Sequence, residues 1–389
     1  MSSTAATAEA RNIMIDFADQ TGLSSTQHPP RRYLWTDAHA VCNFLSLYRR
    51  TQDKEYKQLA LSLIEQVHAI LGRHREDDPR RGWISGLSEE AGREHPTAGG
   101  LRIGKKLNER AIDEVFDDRL EWDRDGQYFH YLTKWMHALS RAAAVTGERV
   151  YCRWAVELAK AAHAGFSRKD PDSGRKRLLW KMSIDLSRPL VPSTGLHDSL
   201  DAYITYNELG PCSERIATDR TSADLEEEIV ETAEMIAGRR WHTDDPLGLG
   251  GLLFDAGRVF QLTAAAHLDA ASIAVSLLRA ACESLAYVAG QMSWSHPAEY
   301  RLAFRELGLS IGLHAVGSMQ EIARTRPELF GNGLEYFLDD LGKYIPLRES
   351  IEDFWRTPGN QQAETWRDHL DINRVMLATS LVPDEFLAI

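Results

Sequence analysis

Apolar positions recur along most of the chain at helical spacing, and alternating β-branched runs are scarce. The pattern predicts a helix over 5–21, with Ile13 and Phe17 on one stripe. A polar stretch over 22–32, holding Pro29 and Pro30, ends it. Helices follow over 36–50, through Val41, Phe44, Leu45 and Tyr48, and over 53–71, through Leu59, Leu63, Val67 and Ile70. The period resumes over 127–145, 149–166, 199–209, 224–240 and 252–267, then over 270–290, 303–324, 332–343 and 364–380. Between them, 72–126 is rich in Gly, Pro, Arg, Asp and Glu and carries few helix signals. A connection this long inside a compact chain is commonly functional, and it reads as a wall over a site. A plain surface excursion is the alternative.

Two kinds of helix alternate. One is apolar nearly all round and rich in small residues, as in LGLSIGLHAVGSM at 307–319. The other is half charged, as in DLEEEIVETAEMIAGRR at 224–240. All-round apolarity means burial, and a polar face means exposure. The buried kind covers 36–50, 127–145, 199–209, 252–267, 303–324 and 364–380; the exposed kind covers 5–21, 53–71, 149–166, 224–240, 270–290 and 332–343. Twelve helices in two alternating layers predict an all-α chain, an (α/α)6 toroid of six helical hairpins. It would be one domain over 1–389, with the irregular insertion at about 72–126. An open solenoid or two helical bundles are the other arrangements.

A short internal repeat supports stacked hairpins. In FLSLYRRTQDKEYKQLALSL at 44–63 and LSRAAAVTGERVYCRWAVEL at 139–158, Thr51 matches Thr146, Asp53 matches Glu148, Tyr56 matches Tyr151 and Ala60 matches Ala155. A Thr with an acid two residues on suits a helix start, where amide protons lack partners. One hairpin leaves an apolar face for its neighbour to cover.

Composition narrows the class. Of 389 residues, 43% are hydrophobic and 26% charged, which excludes a disordered chain. Asp and Glu number 57 against 45 Lys and Arg, a net charge of −12, which argues against nucleic-acid partners. No run of eighteen apolar residues predicts a membrane span. The opening MSSTAATAEARN lacks a basic stretch followed by an apolar one, so a cytoplasmic location is expected. Cys42, Cys152, Cys212 and Cys282 form no close pair, and Cys42, Cys152 and Cys282 sit in apolar helical patterns. They read as buried, reduced thiols. Zinc spacing, the phosphate-binding P-loop and the G-x-S-x-G serine elbow are all absent, so no metal and no cofactor are expected. The run GGLRIGKKLNER at 99–110 has the wrong spacing for a phosphate loop, although its lysines could touch an anionic substrate.

Polar and aromatic residues nevertheless gather at the starts of the buried helices. The first carries Tyr33, Trp35, Asp37 and His39; the second Tyr128, His130, Tyr131 and Lys134; the third His197, Asp198, Asp201 and Tyr203. The fourth carries Asp255 and Arg258, and the sixth Trp366, His369 and Asp371. Charges in apolar helices need partners or solvent. Helix amino termini also favour carboxylates, so Asp37, Asp198 and Asp368 read equally as helix caps or first-turn acids. Ten tryptophans add indole faces that can stack on sugar rings, among them Trp35, Trp122, Trp294 and Trp366. Together with carboxylates they point to a small saccharide or oligosaccharide.

This layout, with TDAHAVCNFLSLYRRTQDKEY at 36–56 and YFHYLTKWMHALSRAAAVTGERVY at 128–151, resembles the six-hairpin glycosidase-like superfamily. That grouping includes unsaturated glucuronyl hydrolases, other (α/α)6 glycosidases and N-acylglucosamine 2-epimerase-like sugar isomerases. The resemblance implies either acidic residues around a cavity mouth or a pair of histidines acting on a ring-opened sugar. No complete catalytic motif of either group carries over residue by residue. The expectation is a glycoside hydrolase using paired carboxylates, Asp201 and Asp255 with Asp37 in reserve, and with His130 and His197 tuning them. Trp35, Trp122, Tyr128, Arg188, Arg258, Trp294, His296, Trp366, His369 and Asp371 would bind substrate. A histidine-based epimerase and a non-catalytic helical-repeat binding protein are the alternatives, and a homo-oligomer is open. Lys105, Arg188 and Arg258 leave room for one acidic sugar.

Overall fold

The computed structural model describes residues 3–171, 173–216, 224–268, 271–291, 294–330 and 333–389, apart from the side chains of 214–216. These residues are overwhelmingly helical, as expected. In chain order the helices are α1 (Ser3–Gln20), α2 (Leu34–Thr51), α3 (Lys54–Leu71), α4 (Glu89–Glu94), α5 (Asp118–Asp123), α6 (Phe129–Thr146), α7 (Arg149–Phe166), α8 (Asp198–Glu208) and α9 (Gly210–Ile216). There follow α10 (Glu226–Ile236), α11 (Pro246–Ala264), α12 (Ala271–Gln291), α13 (Ala303–Thr325), α14 (Leu334–Gly342), α15 (Ile345–Arg356), α16 (Glu364–Arg367), α17 (Leu370–Leu381) and α18 (Asp384–Leu387). Two short antiparallel ribbons complete the elements. Strand β1 (Gln127–Tyr128) pairs with β4 (Lys181–Met182), and β2 (Ser167–Lys169) with β3 (Lys176–Leu178).

The chain divides into two compact units. One comprises Met1–Phe17, Cys42–Asp53 and Gly238–Ile389; the other comprises Ala18–Val41 and Lys54–Ala237. In the second, α6 packs against α7 and α8, and α8 against α10. Its α6 is buried continuously from Leu132 to Ala143, polar Thr133, Lys134, His137, Ser140 and Arg141 included. In the first, α11 and α13 pack most closely, for a reason visible in the sequence. A Cβ on Gly250 would lie 2.0 Å from the Gly308 carbonyl oxygen, and one on Gly312 would lie 2.5 Å from the Gly250 oxygen. Only glycine lets the two backbones meet.

The internal repeat is realised in both of its copies, by a mechanism more specific than a helix start. The Thr51 hydroxyl donates to the Leu47 carbonyl at 2.7 Å and accepts the Asp53 amide at 3.2 Å. Thr146 donates to Ala142 at 2.7 Å and accepts the Glu148 amide at 3.1 Å. Each hydroxyl thus closes one helix and opens the next, while the acids two residues on contribute their amides.

The segment 72–126 is irregular except for α4 and α5, as expected, yet it is tightly held by charge. Fully buried Asp125 takes the Arg102 guanidinium at 2.9 Å and the Gly104 amide at 2.9 Å. Arg80 bridges Asp78 at 2.8 Å and Glu109 at 2.6 Å.

Several elements differ from expectation. Helix α11 begins at Pro246 rather than 252, because the Asp245 carboxylate caps the Gly248 amide and proline suits a first turn. Helix α15 has no counterpart in the sequence reading; its charged surface hid a face on which Ile351 and Trp355 are buried. The expected helix over 364–380 is two, α16 and α17. Cys152 and Cys212 form a disulfide across 60 residues, a correction to the expectation of reduced thiols. Packing of α7 on α9 brings them together, which no spacing in the sequence announces. Cys42 and Cys282 are free and buried. Helix α12 is long and apolar enough to cross a membrane, with a hydropathy of 1.4. Its buried positions Ala274, Leu277, Ala281, Leu285 and Val288 nevertheless recur on one face, as in a helix packed on protein.

Candidate active site

The amino-terminal turns of α2, α6 and α8 build a polar seam beneath a group of aromatic rings, all within the second unit. Helix α6 presents His130, Thr133, Lys134 and His137, three or four residues apart and therefore on one face. Helix α8 answers with Asp198, Asp201 and Glu208. His130 Nδ1 stands 4.0 Å from Asp198 Oδ1. Lys134 Nζ donates to Asp201 Oδ2 at 2.7 Å, and the Thr133 hydroxyl donates to the same oxygen at 2.5 Å. The Thr205 hydroxyl reaches Asp201 Oδ1 at 3.4 Å. One turn further, His137 Nδ1 bonds Glu208 at 2.8 and 3.0 Å, with both side chains 1% exposed.

The two aspartates differ in environment. Asp198 Oδ2 is buried with no hydrogen-bond partner. Burial, and then the neighbouring Asp201 charge, push the Asp198 carboxyl up to about 7, against the opposing pull of Lys134 and the Gly195 amide. Asp201 has the ammonium and a hydroxyl on one oxygen. Near neutral pH the seam therefore holds a proton on one carboxyl beside a cation-paired second. Burial also lowers His130 below the usual histidine range, aided by Lys134. His39 is pushed down to about 3 by burial, with its Nδ1 3.0 Å from the Trp35 carbonyl oxygen.

Rings surround these groups. Tyr128 stacks on Trp180 at 5.0 Å between centroids and on His130 at 5.5 Å. Trp35 lies 5.3 Å from Tyr131 and 6.0 Å from His130. The Tyr33 and Tyr131 hydroxyls share a hydrogen bond of 2.6 Å. Trp122, which is 52% exposed, meets Trp180 edge-on at 5.4 Å. Tyr33, Trp35, His130, Tyr131 and Trp180 are half-buried, so ring faces remain accessible.

The structure thus brings together Asp201, His130, Trp35, Trp122 and Tyr128 from the residues singled out in the sequence. His197 caps α8 through its backbone, and its carbonyl accepts the Asp201 amide at 2.9 Å. Asp37 accepts the Tyr33 amide at 2.9 Å and pairs with Arg32 at 3.5 Å, an acid tying down its own helix start. Arg188 donates to the Arg110 carbonyl in the irregular segment.

The others belong to the first unit. Asp255 pairs with fully buried Arg258 at 2.6 Å on α11. Trp366 is core, stacked on Trp355 at 5.6 Å, and the Trp355 indole donates to Glu306 at 2.7 Å. The Trp294 carbonyl accepts from Arg301 at 2.9 Å. His296 and His369 are exposed, and Asp371 lies in the first turn of α17. The sequence reading passed over Thr133, Lys134, Asp198 and Trp180 as site residues. The signal was there for Lys134: a lysine in a helix buried all round must meet an acid. Among the described residues no group of three or more His, Cys, Asp or Glu could hold a metal ion.

No protein-family model and no curated protein matches the chain. Solved structures do. The GH76 α-mannanase of Bacteroides thetaiotaomicron matches at a TM-score of 0.56 and 9% identity, over 100% of this chain and 97% of that one. The GH76A α-1,6-mannanase of Salegentibacter sp. HEL1_6 matches at 0.53 and 14% identity, over 96% and 98%. An inactive variant of that enzyme, with two aspartates replaced by alanine and α-1,6-mannotetrose bound, matches at 0.55 and 13% identity, over 97% and 99%. At these identities the likeness is one of fold: the chain has the all-α, six-hairpin fold class seen in carbohydrate-acting enzymes.

Proposed function

We propose that this chain is a glycoside hydrolase in which Asp198 is the general acid and Asp201 the ionised partner. One observation carries the reading: two buried carboxyls one turn apart on α8, beneath accessible aromatic rings, with environments that separate their protonation states. Pairs of titratable groups pushed apart in this way mark acid and base roles. Asp198, holding its proton near pH 7, donates to the leaving glycosidic oxygen. Asp201, kept charged by Lys134 and Thr133, faces the positive charge that develops at the anomeric carbon. Residues three apart on a helix have Cβ atoms about 5–6 Å apart. Half-buried Trp35 and Trp180 offer faces for the sugar ring.

The solved mannanase loses activity when a consecutive aspartate pair is replaced. The four consecutive pairs of this chain contain structural acids. Asp78 is bound by Arg80, Asp117 caps α5, Asp245 caps α11, and Asp340 pairs with Lys343. The present reading therefore rests on the α8 pair and does not extend the mannan linkage to this chain.

The test is hydrolysis of a broad glycoside panel, α-1,6-linked mannooligosaccharides included, by the wild-type protein and by D198N and D201N. General acid catalysis contributes about 10²–10⁴-fold, and each variant should lose activity on that scale. Wild-type turnover by both would overturn the assignment. A second reading, a sugar epimerase, draws on His130, a neutral imidazole 4.0 Å from Asp198 and placed to move a proton at carbon. Deuterium uptake at a sugar carbon without bond cleavage would select it.

A further inference from the structure

Lys105 is the residue at this site that neither chemistry uses. Its ammonium lies 5.4 Å from the centroid of the Tyr33 ring, half-buried, and makes no hydrogen bond or ion pair with the described residues. The backbone holds it there. Gly104 has φ +92°, and a Cβ at that position would lie 2.2 Å from the Arg32 carbonyl oxygen. The Ile103 carbonyl accepts the Leu34 amide at 3.0 Å, and the Arg75 side chain donates to the carbonyls of Lys105 and Lys106. The chain is thereby pinned against the start of α2, and Lys105 is delivered to the aromatic group.

The surrounding charges leave this cation over. Asp201 is matched by Lys134, and Asp198 keeps its proton near neutral pH. The other cation over the rings, Lys181, is fully buried and held by Glu121 at 2.9 Å. Asp123 and Asp125 act on Lys105 at longer range; Asp125 is already taken by Arg102 and two backbone amides, and Asp123 is exposed. Burial without a partner is costly for an ammonium and lowers its pKa. A ligand anion would relieve that cost. Beside Lys105, the linked phenols of Tyr33 and Tyr131 stay protonated, since burial raises both, and the one that accepts within the pair keeps a proton to donate to a ligand.

We propose that Lys105 receives an anionic group on the sugar, so that the substrate of the site proposed above is an acidic saccharide bearing a carboxylate or a sulfate or phosphate ester. This rests on the reading of the ring group as a saccharide site, and binding tests it apart from turnover. Affinities of the full-length protein for glucuronate, galacturonate, glucose 6-sulfate and glucose 6-phosphate would be measured by calorimetry against glucose and galactose. At least one acidic sugar should bind tenfold or more tighter than its neutral counterpart, and which one does separates carboxylate from ester. K105Q should erase that preference while leaving neutral-sugar affinity and the melting temperature unchanged, and K105R should keep it. No acid preference in the wild-type protein, or a preference that survives in K105Q, overturns the proposal. Acid-selective binding lost in K105Q, with no bond cleavage on any glycoside, would sustain this inference and refute the hydrolase reading alone.

Discussion

Two buried carboxylates in apolar helices, Asp201 on α8 and Asp255 on α11, look alike in sequence and are built into different things. Asp255 meets Arg258 one turn away on its own helix at 2.6 Å, and the guanidinium lies 4.4 Å from the Phe254 ring. Here a carboxylate faces a guanidinium within a single helix. Asp201 meets a lysine from another helix at 2.7 Å and stands one turn from Asp198, with a histidine 4.0 Å from that second acid. Two carboxyls share one ammonium, and the second keeps its proton. A matched pair is structure; an unmatched one, left with a proton near neutral pH, is available for chemistry.

The comparison can be broken in four ways. The largest effect should come from D198N, with activity down about 10²–10⁴-fold and the fold intact by circular dichroism. An active D198N would remove the distinction between the two regions. Next, D255N leaves Arg258 buried without its carboxylate. A loss of roughly 3–5 kcal/mol in denaturant melts is expected, on the scale of breaking a buried ion pair. A neutral outcome would show that Arg258's remaining contacts carry the site.

Third, the two regions should differ in pH dependence. The folded Asp198 carboxyl titrates at about 7 against an ordinary 3.8, so between those values the folded chain holds a proton that the unfolded chain has released. Stability from this group is therefore complete below about pH 4 and falls as pH rises to 7. Asparagine has no proton to lose. D198N should gain on wild type as pH rises from 4 to 7, by at most about 4 kcal/mol at about 1.36 kcal/mol per unit of pKa shift. Melts at pH 4.5 and pH 8 check the sign. The smallest effect concerns the repeat, whose Thr51 belongs to the first unit and whose Thr146 belongs to the second. T51V and T146V should each cost about 0.5–1.5 kcal/mol, since each hydroxyl makes the same pair of bonds. Unequal losses would show that the two hairpins differ in more than sequence.

Much of the fold was legible because burial imposes a period. Leu132, Trp135, Met136, Leu139 and Ala143 recur at helical spacing, and the helix there follows directly from them. The small residues of 307–319 read as burial, and the structure adds that Gly308 and Gly312 meet Gly250 at a close crossing. Charged helices were harder. Helix α15 reads as polar surface, because only Ile351 and Trp355 of its twelve residues are buried. Aromatic and acidic residues at helix starts marked the turns of α2, α6 and α8 that the structure groups together, but which side chains pair there was not in the spacing. Asp37, Asp201 and Asp255 share a context in the sequence and part company through partners that include Arg32, Lys134 and Arg258.

The sequence by itself determined the all-α class, the helical hairpins and the threonine hinge that joins their helices. These depend on local propensity and on a burial period that each segment carries alone. Tertiary structure decided the rest. It joined Cys152 to Cys212, set Lys134 against Asp201, and placed Lys105 beside Tyr33 through a glycine that admits a carbonyl. Charge balance at Asp201 depends on a lysine 67 residues away, and no local pattern encodes that neighbour.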